Sequence, residues 1–387
     1  MTKLQEKQNI PQGWEETNLG SIADLYQPQT ISKTQMSPDG KYLVFGANGI
    51  IGKHDRFNHE DSEVIVTCRG ASCGSISMTP KQAWITGNAM VIKVDENKVI
   101  KPYIYYFLNN SDLNSVISGG AQPQITRQPI SAYKILFPKS KTEQQKIAEI
   151  LGTVDEDIAK TQEVIEATEK LKRGLSKQLF TRGINDGIEE SMLGGISTIT
   201  SSKRIMRSEY VEDGIPFYRS KEVIEKAKGI KHDSVFYISK ERYEEIEQKF
   251  GAPHIGDILM TAVGTIGVVY LVNEEGFYFK DGNLLWIKDI KKSLDKSYLK
   301  YYMNSEIFQK RVLSTAIGSN QKALTIEKVE KVIVPIPKLP EQQKIAEILL
   351  AVDEKISVNK KLKAKLTLLK KGLMQDLLSG RVRTIIK

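Results

Sequence analysis

The nine-residue sequence EQQKIAEIL occurs twice in this chain of 387 residues, at Glu143–Leu151 and again at Glu341–Leu349. The two copies lie 198 positions apart, and the same spacing relates Leu171–Leu175 (LKRGL) to Leu369–Leu373 (LKKGL). Nine consecutive identities do not arise by chance, so this segment is duplicated. The duplication constrains the fold strongly, because both copies are expected to form the same kind of structural unit.

The duplication extends into the residues that precede each copy. Thr67–Gly70 parallels Thr261–Gly264, and Gln122–Thr126 parallels Gln321–Thr325. Each half is therefore predicted to contain a domain that differs between the copies, followed by a closely repeated segment. The predicted boundaries are 1–140 and 184–338 for the differing domains, 141–183 and 339–380 for the repeated segments, and 381–387 for a basic tail.

The repeated segments are predicted to form long helices. Apolar residues recur at alternating steps of four and three from Ile147 in the first copy and from Ile345 in the second, which is the spacing of a coiled-coil seam. Lys172 interrupts the first seam, although Leu171 can take its place. Two helices of about 36–40 residues would be about 55–60 Å long. Burial of both seams favours an antiparallel coiled coil with pseudo-twofold symmetry; the alternative is two separate helices, each packed on its own domain.

A glycine lies inside each predicted helix, Gly174 in the first copy and Gly372 in the second. Glycine in a helix interior costs about 1 kcal/mol relative to alanine. Its occurrence at matching positions suggests that the helices approach closely there. Simple tolerance of the glycine is the alternative.

The differing domains alternate short β-like runs with turns. Helical patterns cover Lys101–Asn110 and Lys296–Leu313. The predicted strands are Tyr42–Phe45, Glu63–Thr67, Ala89–Val94, Ile258–Thr261, Val268–Val272 and Leu284–Ile287. The predicted fold class is therefore α/β (α+β): two mixed domains in tandem repeat, separated by two long helices.

The positive charge of the chain is concentrated near its C-terminal end. The balance of 56 Lys+Arg against 47 Asp+Glu gives a net charge of +9, and residues 338–387 hold 12 basic and 5 acidic residues. A solvated helix face with a basic tail explains this excess as well as a nucleic-acid partner does. The two larger domains are close to neutral, so DNA binding there requires local clusters of charge.

Composition and terminal sequence indicate a globular, cytoplasmic protein without membrane contact. Apolar residues make up 40% and charged residues 27% of the chain, and no apolar run approaches the roughly 18 residues that a bilayer span needs. Met1–Pro11 lacks the apolar core of a secretory signal. Cys68 and Cys73 are too few for a disulfide framework or a four-cysteine zinc site.

Motifs for covalent chemistry are missing from the sequence. It contains no Pro-Pro dipeptide, which an amine-methylating motif would need, and no Gly-x-Gly-x-x-Gly after a predicted strand. Gly46–His54 fails as a phosphate-binding loop, because its first glycine is displaced and His54 replaces the magnesium-binding Ser or Thr. His54, Cys68 and Cys73 lack the spacing of metal ligands, so buried structural cysteines are favoured. We therefore expect no catalytic residues and no metal site.

The arrangement as a whole resembles the DNA specificity subunit of type I restriction-modification systems. The repeated helix motif carries this resemblance across the whole chain. Phe137–Thr142 departs from the pattern, because the family more often has a proline-rich approach to the helix. Shorter strings in the domains add to the resemblance: Phe45–Gly52, Cys68–Gly70 with Gly74, Gly120–Gln122, Ile215–Arg219, Gly264–Gly267 and Pro335–Pro337.

The resemblance implies a division of labour. Each differing domain would be a target recognition domain that reads one half of a split, asymmetric site in double-stranded DNA, and the helices would set the gap. Two methyltransferase subunits would dock on the helices and bring S-adenosylmethionine for adenine-N6 methylation. Restriction subunits with motor and nuclease activity would bring ATP and magnesium, so no cofactor is expected on this chain. The motif residues implied in docking are Glu143, Gln144, Gln145, Ile147, Glu341, Gln342, Gln343 and Ile345.

Candidate DNA contacts follow from the residue types that read base edges, which are Arg, Lys, Asn and Gln on loops. Glycine-rich turns favour the first set, and a local basic cluster favours the second. The alternative for each residue is a surface charge or a phosphate contact. The candidates are Asn48, Lys53, His54, Arg56 and Arg69 in the first domain and Lys203, Arg204, Arg207, Arg219 and Lys221 in the second.

Two other groups are predicted to be structural. Tyr105, Tyr106, Tyr301 and Tyr302 could stack on bases, but hydrophobic packing is favoured. Lys310 and Arg311 are predicted to lie on a solvated helix face.

Three alternatives remain at the level of function. A specificity subunit of a methyltransferase-only or fused system would differ only in its partners. A helical scaffold that assembles proteins without reading DNA is disfavoured by the matched domains and their basic loops. A nuclease is disfavoured by the missing motifs.

Overall fold

The computed structural model describes residues 10–47, 49–120, 122–185, 188–230, 235–315 and 323–384. The chain divides into two compact units: the first comprises Met1–Gln162 with Lys360–Lys387, and the second comprises Glu163–Asn359. Both units contain helices and strands, so the predicted mixed α/β content is confirmed. The division falls inside both long helices, and each unit therefore holds one half of each.

The first unit is built on a four-stranded antiparallel main sheet with the order β2-β8-β5-β6. A second sheet has the order β4-β3-β7, in which β3 and β7 are parallel. β1 pairs with β11, and β9 pairs with β10. The elements are β1 (Trp14–Asn18), β2 (Ala23–Tyr26), β3 (Tyr42–Gly46), β4 (Gly49–His54), β5 (Val64–Thr67), β6 (Ile76–Met78), β7 (Trp84–Ile85), β8 (Ala89–Val94), α1 (Lys101–Asn109), β9 (Ile117–Ser118), β10 (Gln124–Ile125), α2 (Arg127–Ser131), β11 (Lys134–Pro138) and the long α3 (Lys141–Asn185).

The second unit has an antiparallel main sheet with the order β13-β20-β17-β18 and a second sheet with the order β14-β16-β15-β19. β12 pairs with β21. The elements are β12 (Glu189–Met192), α4 (Leu193–Ile196), β13 (Thr198–Thr200), β14 (Tyr210–Val211), β15 (Ile215–Tyr218), α5 (Ser220–Ala227), β16 (Phe236–Ile238), α6 (Lys240–Phe250), β17 (Ile258–Thr261), β18 (Val269–Leu271), β19 (Tyr278–Phe279), β20 (Leu284–Lys288), α7 (Lys296–Met303), α8 (Glu306–Thr315), α9 (Ile326–Glu330), β21 (Ile333–Ile336) and the long α10 (Leu339–Leu377).

The two units share the main sheet and three strands of the second sheet, because β4-β3-β7 of the first unit and β16-β15-β19 of the second have the same order and strand directions. The main sheets have equivalent strand orders, and in each unit the first strand pairs with the strand just before a long helix. The second sheet has three strands in the described part of the first unit. In the second unit it has four, with α5 and α6 inserted between its strands. The second unit therefore adds β14, α5 and α6 to a framework that the described residues of both units share.

The main sheets are buried because their central strands are continuous apolar runs. All four residues of β5 and all four of β17 are buried, as is typical of strands covered on both faces. The core of the first unit includes Ile147 of α3 and Met374 of α10. The core of the second unit includes Phe180 of α3 and Ile345 of α10. Each domain core is thus completed by both long helices.

The long helices span 45 residues in α3 and 39 in α10, which confirms the predicted helical segments. In the first unit, Lys363 Nζ donates to Gln162 Oε1 at 2.8 Å, and Lys370 pairs with Asp155 at 2.6 Å. The residue number rises along one helix while it falls along the other. The two helix halves in this unit therefore run in opposite directions.

In the second unit, the seam between the helix halves differs from the predicted one. Lys172, which was expected to give way to Leu171, pairs with Asp353 at 2.6 Å and lies 5.7 Å from the Tyr301 ring centroid. Leu171 is 54% exposed, and Leu369 of the second copy is 51% exposed. The prediction was wrong here because a lysine at a helix contact is tolerated when a carboxylate and a ring satisfy its charge.

The predicted helix Lys296–Leu313 is two helices, α7 and α8. Asn304 caps α7, and Ser305 is buried and accepts a hydrogen bond from Phe308 N through its hydroxyl at 3.3 Å, which starts α8. Lys310 is exposed, as predicted. Arg311 is not: it donates to Tyr302 Oη and to the Ile333 carbonyl, both at 2.9 Å, and so ties α8 to α7 and β21.

Replacing Gly174 or Gly372 by alanine is expected to raise the free energy of unfolding by about 0.5–1 kcal/mol each, because both lie in helix interiors. A Cβ at either position would meet no described atom within 4 Å, so the suggested close helix approach is wrong. Chemical denaturation measures the effect. Gly70→Ala is the opposite control, because Gly70 has a φ of +88° and alanine would be strained there. Destabilisation by either helix substitution would contradict this account.

Candidate nucleic-acid interface

In the first unit, the loop after β5 is joined to the tip of the β3–β4 hairpin. Thr67 Oγ1 donates to the Ala47 carbonyl at 3.0 Å, and Ser72 Oγ donates to the same oxygen at 2.7 Å. Gly70 and Gly74 turn this loop with φ angles of +88° and +91°, which glycine adopts without strain. The loop and the hairpin therefore form one continuous corner of the unit.

The hairpin presents an exposed edge strand. β4 pairs with β3 on one side only, and Ile50 and Ile51 are 57% and 42% exposed. Lys53 on the same strand is also exposed. Apolar side chains beside a lysine on an edge strand are unusual for a surface that stays in water.

The candidate DNA contacts predicted in the first domain differ in their exposure to solvent. Lys53, Arg56 and Arg69 are exposed. His54 is half-buried: its ring lies 4.6 Å from the Trp84 ring, and its Nδ1 accepts a hydrogen bond from Arg56 N at 2.9 Å. These contacts make His54 a support for the end of β4. Asn48 lies outside the described residues.

The second unit has a loop at the equivalent position, after β17. Thr261 Oγ1 donates to the Thr265 carbonyl at 2.5 Å and accepts from Val268 N at 2.9 Å. Gly264 and Gly267 have φ angles of +78° and +83°. The hydroxyl of a buried threonine therefore organises the loop in both units, but its partners differ.

An open cleft of about 600 Å³ separates this loop from α5. Val263, Gly264, Thr265 and Asn283 line it on the side of the main sheet. Ser220, Lys221, Ile224, Glu225, Lys228 and Ile230 line it on the side of the second sheet. The cleft is thus bounded by a part that both units share and a part that only the second unit has.

The basic cluster predicted in the second domain is dispersed and partly neutralised. Arg204 pairs with Asp281 at 2.8 Å, and Lys203 Nζ lies 4.8 Å from the Phe250 ring centroid. Lys221 is exposed, faces the cleft and pairs loosely with Glu225, 3.8 Å away. Of the five candidates, Lys221 alone lines the cleft.

Arg207 and Arg219 come together at Tyr210. Burial raises the pKa of Tyr210, and both guanidinium groups act against that rise. Arg219 is bound to the buried Glu222 by hydrogen bonds of 2.6 and 3.1 Å. Burial alone would raise the pKa of Glu222, but the hydrogen bonds from Arg219 outweigh it and lower that pKa. Arg219 therefore starts α5 as a structural residue, whereas Arg207 is exposed.

The second residue of each helix motif fastens the helix to its domain. Gln144 accepts from Ile100 N at 2.9 Å and donates to the Pro138 carbonyl at 2.8 Å. Gln342 accepts from Asp295 N at 2.7 Å and donates to the Pro337 carbonyl at 2.7 Å. Both side chains are fully buried. Their repetition reflects this internal role.

The remaining motif residues divide between interior and surface. Ile147 and Ile345 are buried in the two cores. Glu143 is buried and bound to Arg383, at 2.6 Å to Oε1 and 2.8 Å to Oε2. The exposed motif residues are Gln145, Glu341 and Gln343.

Replacing Arg383 by alanine is expected to lower the free energy of unfolding by about 2 kcal/mol, because Glu143 is left buried without its cation. The figure is below that of a fully buried pair, since the Arg383 side chain is 38% exposed. Arg381→Ala is the matched control, because Arg381 is 68% exposed and its ion pair with Asp376 is long, at 3.7 Å. Denaturant titration measures both variants. An equal loss of stability in the two variants would contradict the conclusion that Arg383 neutralises the buried Glu143.

Sequence reasoning missed a matched triad in each unit. Tyr106 Oη donates to Asp155 at 3.0 Å, and Lys370 pairs with the same carboxylate. In the second unit, Tyr301, Asp353 and Lys172 are arranged in the same way, with a Tyr–Asp distance of 3.1 Å. The signal was present in the sequence, because Asp155 matches Asp353 and Lys172 matches Lys370 at the 198-residue offset.

Packing accounts for most of the conspicuous tyrosines, as predicted. Tyr106, Tyr301 and Tyr302 are buried, and Tyr105 is half-buried. Burial and the Asp155 carboxylate raise the pKa of Tyr106, and burial and Asp353 do the same for Tyr301. Both hydroxyls therefore remain protonated and act as donors in the triads.

Three further observations concern a cysteine, metal ions and membranes. Cys68 is buried, and burial raises the pKa of its thiol to about 11, which agrees with a structural role. Within the described ranges, no three His, Cys, Asp or Glu side chains gather into a group that could hold a metal ion. Among the helices of the described residues, none has the length and apolar character needed to cross a bilayer.

Comparison with solved structures supports the fold. The crystal structure of the type I restriction-modification S subunit from M. genitalium has a TM-score of 0.67 at 20% identity, and the match covers 97% of this chain and 98% of that one. A chain from a structure on complex assembly of the type I system has a TM-score of 0.55 at 16% identity, covering 97% and 100%. At these identities the likeness concerns the fold alone.

Comparison of sequences identifies the family. The type I restriction enzyme MjaVIII specificity subunit of Methanocaldococcus jannaschii is 25% identical, and the match covers 97% of this chain and 94% of that protein. A putative type I specificity subunit of Haemophilus influenzae is 27% identical, covering 82% and 81%. The family model for the type I restriction modification DNA specificity domain matches twice, at residues 11–169 and 185–368. With two such domains in tandem, this chain belongs to the family of type I restriction-modification specificity subunits.

Proposed function

We propose that this chain is the DNA-reading subunit of a type I complex, in which each unit binds one half of a split, asymmetric duplex site. The observation that carries the proposal is that two equivalent frameworks carry different elements at the same place: β4 follows β3 directly in the first unit, whereas α5 lies between β15 and β16 in the second. Equivalent frameworks suit DNA binding by both units, and different added elements suit half-sites of different base sequence. Base reading and phosphate binding require exposed cations near a concave or protruding surface, and Lys53, Arg56, Arg69 and Lys221 provide them.

The two long helices act as the spacer in this proposal. They form an antiparallel coiled coil with pseudo-twofold symmetry, in which the matched Tyr–Asp–Lys triads hold the helix halves in register. The supporting observation is that each triad joins a tyrosine of the domain, an aspartate of the helix that follows it and a lysine of the other helix. Fixed half-sites on duplex DNA require such a rigid connection, because spacing and rotational phase are linked.

The chain supplies recognition, and its partners supply the chemistry. Two methyltransferase subunits dock on the helices and contribute S-adenosylmethionine, while restriction subunits contribute the ATP- and magnesium-dependent steps. The exposed motif residues Gln145, Glu341 and Gln343, together with exposed helix residues such as Leu171 and Leu369, provide a surface for docking. Exposed leucines on the helices would lose contact with water when a partner subunit covers them, which favours docking.

Sequencing of N6-methyladenine in cells that co-express this chain with its methyltransferase subunit tests the proposal. The expected result is one split motif with a methylated adenine in each half, which disappears when the gene for this chain is deleted. A motif that is unsplit, or that persists after the deletion, would contradict it and favour a scaffold that does not read DNA.

A further inference from the structure

The duplication separates two kinds of DNA contact within each unit. This inference rests on the proposed function. If one chain reads two different half-sites, the groups that read bases must come from parts that differ between the units. Parts that are the same in both can make only contacts that do not depend on sequence, and phosphate contacts are of that kind.

The shared parts include the loops after β5 and β17. Both loops begin with a buried threonine and pass through a glycine with positive φ, Gly70 in the first unit and Gly264 in the second. A Cβ at either glycine would meet no described atom within 4 Å. The backbone of both loops is therefore open to close approach by a ligand, which side chains would otherwise hinder.

The parts that differ include the connection between two equivalent strands of the second sheet: β4 follows β3 directly in the first unit, whereas α5 lies between β15 and β16 in the second. In the first unit this sheet ends in the exposed β3–β4 hairpin. In the second unit, the sheet carries α5, with the exposed Lys221 in its first turn and the exposed Lys228 at its C-cap; both lysines line the cleft. A two-stranded ribbon and a helix are the two elements that the major groove of B-DNA admits.

In both units the differing element adjoins the shared loop. In the first unit, Thr67 and Ser72 of the loop hold the Ala47 carbonyl at the hairpin tip. In the second, Gly264 and Thr265 face Ser220 and Lys221 across the cleft of about 600 Å³. A duplex held by its phosphates at the loop would thus present its bases to the neighbouring element.

We propose that the first unit reads its half-site with the β3–β4 hairpin and the second with α5, while the shared loops hold the phosphate backbone. Lys53 can donate to guanine O6 and N7, and the exposed Ile50 and Ile51 suit contact with thymine methyl groups. Lys221 on α5 and Lys228 at its C-cap are the equivalent donors in the second unit. Arg69 lies beside Gly70, where the second loop has Val263, and adds a phosphate contact to the backbone of the first loop without adding base preference.

The test is N6-methyladenine sequencing with the full chain and its methyltransferase subunits. Ile51→Ala with Lys53→Ala is expected to relax one half of the motif by about tenfold at one or more positions, with the gap and the other half unchanged. Lys221→Ala with Lys228→Ala is expected to relax the opposite half. Arg69→Ala is expected to lower methylation at all sites alike, with the motif unchanged. Lys310→Ala, an exposed lysine on α8, is the control and should change nothing.

The outcomes separate this inference from the proposed function. If the unchanged chain directs a split motif but the hairpin variant alters neither half or alters both, the inference is overturned while the proposed function stands. Relaxation of base preference by Arg69→Ala would also overturn it. If the unchanged chain directs no split motif, the proposed function itself fails. For the hairpin and α5 variants, retained specificity in the other half of the motif shows that the variant is folded.

Discussion

Replacing Gln342 by leucine is expected to lower the free energy of unfolding by about 3 kcal/mol. Leucine keeps the bulk of the side chain but removes all its hydrogen bonds. The Asp295 N–H and the Pro337 and Ser293 carbonyls would lose their partner at a fully buried site. Each stranded buried group costs about 1–3 kcal/mol, and local relaxation reduces the sum. Gln144→Leu is expected to act similarly in the first unit.

The neighbouring glutamines provide the control for this prediction. Gln145 and Gln343 follow directly in the two motifs and are exposed, so Gln145→Leu and Gln343→Leu should change stability by less than about 0.5 kcal/mol. Denaturant titration followed by circular dichroism measures all four variants. If the buried and exposed substitutions have equal effects, the internal role of the motif is refuted.

Matched shortening of the two helices is expected to have the largest effect on function. Removing residues 159–165 and 360–366 together takes about 10 Å from each helix, or about 3 base pairs of B-DNA. The deletion spares the Asp155–Lys370 and Asp353–Lys172 pairs. Methylation at the original gap should fall at least tenfold, and any motif that replaces it should have the same halves and a gap shorter by about 3 base pairs. Methylome sequencing measures both changes.

A one-sided deletion is the control for the spacer. Removing residues 159–165 alone shifts α3 against α10 by two turns, so the two triads cannot form together. Methylation should then be lost without a new motif. An unchanged gap after the matched deletion would show that something other than the helices sets the spacing.

The repeat allowed the framework to be predicted because its signal is long and redundant. Identical nine-residue segments and their apolar spacing indicated α3 and α10, and β8 and β17 were predicted with the bounds that the structure has. Local sequence patterns predicted helix ends and side-chain exposure less reliably where the hydrogen bonds of one polar side chain determine them. Ser305 splits a continuous helical pattern in two, and Arg311 turns inward because Tyr302 and a carbonyl accept its hydrogen bonds.

The candidate interface was harder to predict, because a sequence shows where charge lies but not what neutralises it. Arg204 and Arg219 formed part of a basic cluster in the sequence, yet each is held by an acidic partner in the structure. His54 appeared beside lysine and arginine in a glycine-rich turn, but packs on Trp84. The predictions for individual base contacts therefore remain predictions, whereas the grouping of the hairpin with the loop after β5 required three-dimensional information.

The central claim is that each unit reads one half-site and that the helices relate the two units. Replacing residues 189–337 by a second copy of residues 14–138 tests it most directly, because both segments begin and end with the same strand pair. N6-methyladenine sequencing of cells that express this chain with its methyltransferase subunits is the measurement. The predicted result is a motif of two identical halves in inverted orientation. Methylation of the original asymmetric motif in cells that express only the hybrid chain would contradict the account.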